Sequence, residues 1–384
     1  MLSIPCSSVL SSLLRCGCAL HLFPYRYDPY EKRVHPPSQN SRHVFNFHRF
    51  VINGMTLFAM VRFFLASRTT TELPLLLKIL NIAWIGVYSL TAIGFYQIAN
   101  NGEDIGTFVN SLLQYVDEVQ AAPKVEKRAK RPGEIEQEKK LAKYLTIGFV
   151  LFAINPAIHV MLVEESPCAP HFTSSLILPC TGYPGGSEFK LVDKLPFIVL
   201  EYYLTSLIFT TLSFNWAIIL LGLSWILVEL QKMGSSLKRS NPFTISKTTF
   251  PIVPYRTLEY LMTLLNSAFR PYLATLPALL VAVVAILLFG SPVRGTLLLR
   301  VLTPLAISGR VVTENKSVLA SMRRRMEFVP PAKKREKKLE KVMLRSCNRL
   351  RCEAGSLYTF ETSIVATCLD NGMQLTLNML VTFM

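Results

Sequence analysis

Hydrogen-bonding side chains recur at helical spacing near the end of the chain: Thr367, Asn371, Gln374, Asn378 and Thr382, in steps of 4, 3, 4 and 4. At about 100° per residue these positions fall on one narrow stripe of a helix. Ser363 and Asp370 flank it, while Val365, Leu369, Met373, Leu380 and Phe383 face elsewhere. So apolar a helix belongs in lipid, yet polar groups left unpaired in hydrocarbon are costly, so the stripe must meet protein or water. It is either a polar seam between packed helices or the wall of a pore.

Other chemistry is not indicated. No Gly-rich phosphate loop, HExxH, GxSxG or metal-type His/Cys cluster occurs, and the 6 His are scattered singly. Cys16 and Cys18 are too close together for a zinc pair. No enzyme, cofactor or metal site is expected. The net charge of +16 need not mean nucleic acid, because the Lys and Arg lie in loops between apolar runs.

The elements that position the stripe follow from hydropathy. At 384 residues, 51% hydrophobic and mean hydropathy +0.35, the chain reads as an all-α polytopic membrane protein. Residues 1–43 carry five basic residues and a short Leu-rich piece that cannot cross. Arg15 and Pro5 argue against a secretory signal there. Transmembrane spans are expected at about 44–66, 74–98, 144–162, 195–220, 272–290 and 295–312, within a unit covering 44–312. A basic anchor segment, 313–354, leads to the seventh helix, 355–384. The fourth apolar stretch, 195–230, would be about 54 Å long as a helix against a hydrocarbon core of about 30 Å. It must project into water or break, and the fifth also has an extension.

Charge sets the orientation. Placing 1–43, 101–143, 231–271 and 314–353 on one side collects 32 Lys and Arg, against 4 in the loops opposite. The positive-inside rule makes the basic side cytoplasmic. The result is seven transmembrane helices, N-terminus cytoplasmic and C-terminus extracellular, the reverse of a G-protein-coupled receptor. Cys168 and Cys180 are the two cysteines on the outer side, where a disulfide can persist. Sequon Asn315 falls on the inner side, where it would not be glycosylated.

This layout, with long fourth and fifth helices and a polar last one, resembles the arthropod gustatory receptors and the related insect odorant receptors. The closing "CEAGSLYTFETSIVATCLDNGMQLTLNMLVTFM" (352–384) is similar to the most shared part of that superfamily, and "LLRCGCALHLFPY" (13–25) to its pre-membrane segment. Of the family signature Thr-Tyr, five apolar residues, Gln-Phe, only Phe383 matches outright, with Thr382 where Gln is usual. The resemblance implies a tetrameric, ligand-gated, non-selective cation channel with a cytoplasmic anchor. By position it puts Met379 at the gate, Thr382 at the mouth, and Asn378, Gln374 and Asn371 below, with Asp370 forming a carboxylate ring. It also implies a ligand pocket among the outer halves of the earlier spans. Trp84, Asn155, His159, Glu201, Tyr202, Tyr203 and Arg300 are expected there.

Each of those has a plainer reading. Ionisable groups inside a span cost at least about 2.5 kcal/mol, so Glu201 and Arg300 should face inward and could simply pair. The two tyrosines suit an interfacial aromatic belt. Expected partners are a sugar or bitter tastant, cations, the lipid bilayer and further receptor subunits, in the plasma membrane of chemosensory neurons. The alternative is a secondary transporter using the polar helix as a substrate path, although no internal repeat supports it.

Overall fold

A computed structural model describes residues 4–69, 75–121, 132–180, 189–239, 252–290, 303–327, 334–353, 359–361 and 363–383, with most of their side chains. Helix α1 (Ile4–Ala19) is followed by two short strands, β1 (Arg26–Asp28) and β2 (Arg33–His35). Then come α2 (Gln39–Thr69), α3 (Leu75–Asn100), α4 (Gly102–Ala121), α5 (Pro132–Glu165), the single turn α6 (Ser174–Ile177) and α7 (Leu191–Arg239). The chain closes with α8 (Ile252–Gly290), α9 (Thr303–Glu327), α10 (Lys334–Arg345) and α11 (Ser363–Phe383).

The axis of the fold is α7, an uninterrupted helix of 49 residues. Its outer end shows apolar side chains to the surroundings (Val192, Val199), whereas Leu204 to Leu230 are almost wholly buried among α1, α3, α5, α8 and α9. Its apolar residues run all round the helix, the pattern of a rod enclosed by others. Close approach is possible where glycine removes a side chain: a Cβ on Gly222 would lie 2.6 Å from the Phe108 ring. Three of the described helices, over Gln39–Leu65, Asn81–Asn100 and Leu191–Leu237, are long and apolar enough to cross a membrane. The other four expected spans include residues that are not fully described.

Several elements differ from the sequence reading. The fold is not purely helical: β1 and β2 pair antiparallel, Tyr27 opposite Val34. Asp28 Oδ1 accepts the Tyr30 and Glu31 amides at 2.8 and 3.2 Å, and Lys32 closes the turn at φ 49°. Asn110 of α4 then acts as one more strand residue, accepting Val34 N–H at 2.7 Å and donating to its carbonyl at 2.9 Å. The seventh helix starts at Ser363 rather than 355. Ahead of it Glu353 is bridged to Thr359, and Phe360 N–H donates to Cys352 O at 2.9 Å. Helix α9 runs straight through the boundary expected at 312, and α5 begins well before 144.

Below the expected spans, the link from α10 to α11 is laced to α8 by side chains. Asn266 donates to Arg351 O at 2.7 Å and accepts Glu353 N–H at 3.1 Å. Tyr255 donates to Asn315 at 2.8 Å and to Asn348 O at 2.6 Å. Asn315 is 1% exposed, so no glycan could reach it. Cys352 is buried beside this lacing, and burial pushes its thiol up to about 12, far from the reactive range.

Candidate functional site

Glu201 is the one carboxylate sunk completely within the described apolar body. It sits on α7 beneath a lid, residues 166–180, that a disulfide between Cys168 and Cys180 closes on itself. The lid has its own apolar seat, Ala169 and Phe172 against Val163, Phe197 and Ile198. Within the lid Ser174 Oγ donates to Pro167 O at 2.6 Å, and Arg62 of α2 ties it down by donating to Ser175 Oγ at 3.0 Å. Beside it Lys194 of α7 donates to Glu164 O at the end of α5 at 2.8 Å.

The carboxylate is held by the lid and by α5. Glu201 Oε1 accepts both the amide and the hydroxyl of Thr173, each at 3.0 Å, and Oε2 lies 3.4 Å from His159 Nε2. A buried carboxylate needs such partners, since desolvation would otherwise expel it or neutralise it. Around it the rings converge. Trp84 of α3 lies 4.5 Å from His159 and stacks on His171 at 6.3 Å, and Phe172 meets His159 edge-on at 5.0 Å. His171 Nδ1 is buried with no hydrogen-bond partner among the described residues. Burial, with His159 adding to it, brings the His171 pKa down to about 3, so this ring is neutral at physiological pH.

The terminal helix presents the opposite arrangement. Helix α11 packs on α8 and α9 through Cys368, with Ile364, Val365 and Leu369 half-buried. Thr367, Asp370, Asn371 and Gln374 are all exposed. Their described bonds stay within the helix: Gln374 donates to Asp370 at 3.2 Å, and Thr367 to Ser363 O at 3.1 Å. No element of the described chain covers this face.

Two solved structures match nearly the whole chain. The insect olfactory receptor OR5 from Machilis hrabei in complex with eugenol has a TM-score of 0.63 at 13% identity, over 98% of this chain and 99% of that one. A second structure of the same receptor gives 0.60 at 12% identity, over 96% and 97%. No family model and no curated protein matches the sequence. The chain has the fold of an insect olfactory receptor.

Within this olfactory-receptor fold, the expected ligand residues divide. Trp84, His159 and Glu201 meet in one cluster, and Asn155 is half-buried one turn below His159 on α5. Tyr202 and Tyr203 do not join them. Successive helical positions lie about 100° apart, so with Glu201 facing the lid they must face elsewhere. Tyr202 is 53% exposed, and the Tyr203 hydroxyl lies 2.6 Å from His48 Nδ1 on the α2 side. Arg300, and the side chains of Asn378, Met379 and Thr382, lie outside the described residues. Among the described residues, the partners of Glu201 are Thr173 and His159. Sequence reasoning missed His171, Phe172 and Thr173, although "CAPHFTSS" stands out as an aromatic and hydroxyl-rich piece next to one of the outer cysteines.

Proposed function

We propose that this chain is a gustatory-type chemoreceptor that works as a ligand-gated, non-selective cation channel. Four copies set their α11 helices around one pore, with Asp370, Asn371 and Gln374 on its wall and Asn378, Met379 and Thr382 continuing toward the outer mouth. The seven spans run with the N-terminus in the cytoplasm. The observation that carries this reading is the bare polar face of α11 in a chain with an olfactory-receptor fold. Exposed amides, hydroxyls and a carboxylate on an apolar helix need water or a neighbour, and a symmetry axis shared by subunits supplies both.

The ligand binds beneath the lid, among Trp84, His159, His171, Phe172 and Glu201. A solved receptor of similar fold holds eugenol. Here the Glu201 oxygens are already engaged by Thr173 and His159, so aromatic faces rather than free hydrogen-bonding groups dominate the cluster. That favours an aromatic or alkaloid-like bitter compound over a sugar, with a protonated amine drawn to the Trp84 face. The decisive measurement is current in patches from cells expressing this chain alone, challenged with bitter aromatic amines and with sugars. Amine-evoked cation current is expected. Silence to every compound, with the protein shown at the cell surface, would remove the channel reading.

A further inference from the structure

A cavity of about 870 Å³ lies at the foot of α2, beside the junction of α3 and α4 and far along the chain from the lid cluster. Arg42, Asn46 and Arg49 line one side of it from α2, and Glu103 and Asp104 line another from the first turn of α4. Asp104 accepts the Ser267 hydroxyl at 2.9 Å. Arg42, Arg49 and Glu103 have no ion-pair partner among the described residues. Two guanidiniums and a carboxylate thus border one space without pairing. Such a wall of opposite charges suits an occupant that is itself dipolar, with a phosphate for the arginines and an ammonium for the acids.

The setting identifies the source of that head group. Positions 42, 46 and 49 share one side of α2, and along the adjoining side the helix exposes Phe50 (76%), Leu57 (64%) and Val61 (47%). The cavity therefore opens at the base of an exposed apolar strip of about 16 Å, counted from Phe50 to Val61 at the rise of a helix. Acyl chains would lie along that strip while the head group enters the cavity. We propose that this is a binding site for an amine-bearing phospholipid, phosphatidylethanolamine or phosphatidylserine. Its place in the cytoplasmic leaflet rests on the orientation proposed above; the binding itself does not.

The test is lipid retention by the purified full chain in detergent, read by native mass spectrometry. Phosphatidylethanolamine and phosphatidylserine should be kept over phosphatidylcholine, whose amine cannot donate, and over phosphatidic acid, which has none. Arg42→Gln with Arg49→Gln should weaken retention of every phospholipid by about tenfold. Glu103→Gln should erase only the margin of phosphatidylethanolamine over phosphatidic acid. Equal retention of phosphatidylcholine, or the same lipid profile in all variants with unchanged thermal unfolding, overturns the site. Soluble phosphoethanolamine is the second arm. If it binds as tightly as the lipid, the occupant is a free phosphate ester and the lipid assignment fails. Detergent has no inside or outside, so an error in orientation would appear separately, in the accessibility of terminal tags on intact cells.

Discussion

Glu201 and Asp370 are both carboxylates on apolar helices, and the fold treats them in opposite ways. Glu201 is fully buried with donors from Thr173 and His159 at hand, whereas Asp370 is exposed and, among the described residues, meets Gln374 of its own helix. A carboxylate with its donors built in is fixed by the chain itself. On the pore reading proposed above, one left open on an apolar helix meets water or another subunit. The contrast is between a carboxylate whose partners the described chain supplies and one that it leaves open.

The comparison can be broken most forcefully at Glu201. Glu201→Ala strands the Thr173 amide and hydroxyl and should cost about 3 kcal/mol, read as a fall in thermal unfolding temperature in detergent. A variant as stable as the parent would show that the lid does not depend on the carboxylate. Replacing Cys168 and Cys180 with Ser should cost slightly less, about 2–3 kcal/mol, and remove any sensitivity of the lid to reductant. Clipping of residues 166–180 by protease, with and without reductant, reads this directly.

Acid probes the same region more gently. The folded pKa of His171 lies below its unfolded value, so the unfolded state binds the extra proton and stability rises with pH. The contribution is complete above about pH 6.5 and falls by about 1.4 kcal/mol per unit as pH drops toward 3. His171→Phe should flatten that dependence in protection of the lid amides from hydrogen exchange; an unchanged slope would show that His171 is not its source. The smallest effect on stability belongs to α11. Asp370→Asn should shift unfolding by less than about 0.5 kcal/mol, as exposed substitutions do. Its consequence lies in the permeability ratio of sodium to chloride, which should fall. If stability drops and selectivity holds, Asp370 is a packing residue and the contrast with Glu201 disappears.

Much of this was legible in the residues, for identifiable reasons. The stripe through Thr367, Asp370, Asn371 and Gln374 shows because a helix repeats on itself every few residues, so neighbours in space are neighbours in sequence. Trp84, His159 and Glu201 stand out as polar or amphipathic groups in apolar runs. Their companions could not be found that way. Thr173 is 28 residues from Glu201 and belongs to a lid with no period at all. The β-hairpin was invisible because three-residue strands are too short to alternate, and Tyr202 stands apart from Glu201 because successive helical positions point about 100° apart. The segment ahead of α11 is tied at Glu353 to Asn266, 87 residues away.

One dimension of the molecule governs its relation to any bilayer it inhabits. At 49 residues, α7 is a rod of about 73 Å, more than twice the thickness of a hydrocarbon core. Leu204 to Leu230, more than half of it, are sheathed in protein, and its large exposed apolar side chains, from Leu191 to Tyr202, lie at the N-terminal end. A thinner or thicker membrane therefore finds little of the rod to grip. Depth of immersion is then dictated from the top, and the parts hanging beneath keep their spacing from one another whatever lipid surrounds the upper portion. The chain carries its own ruler.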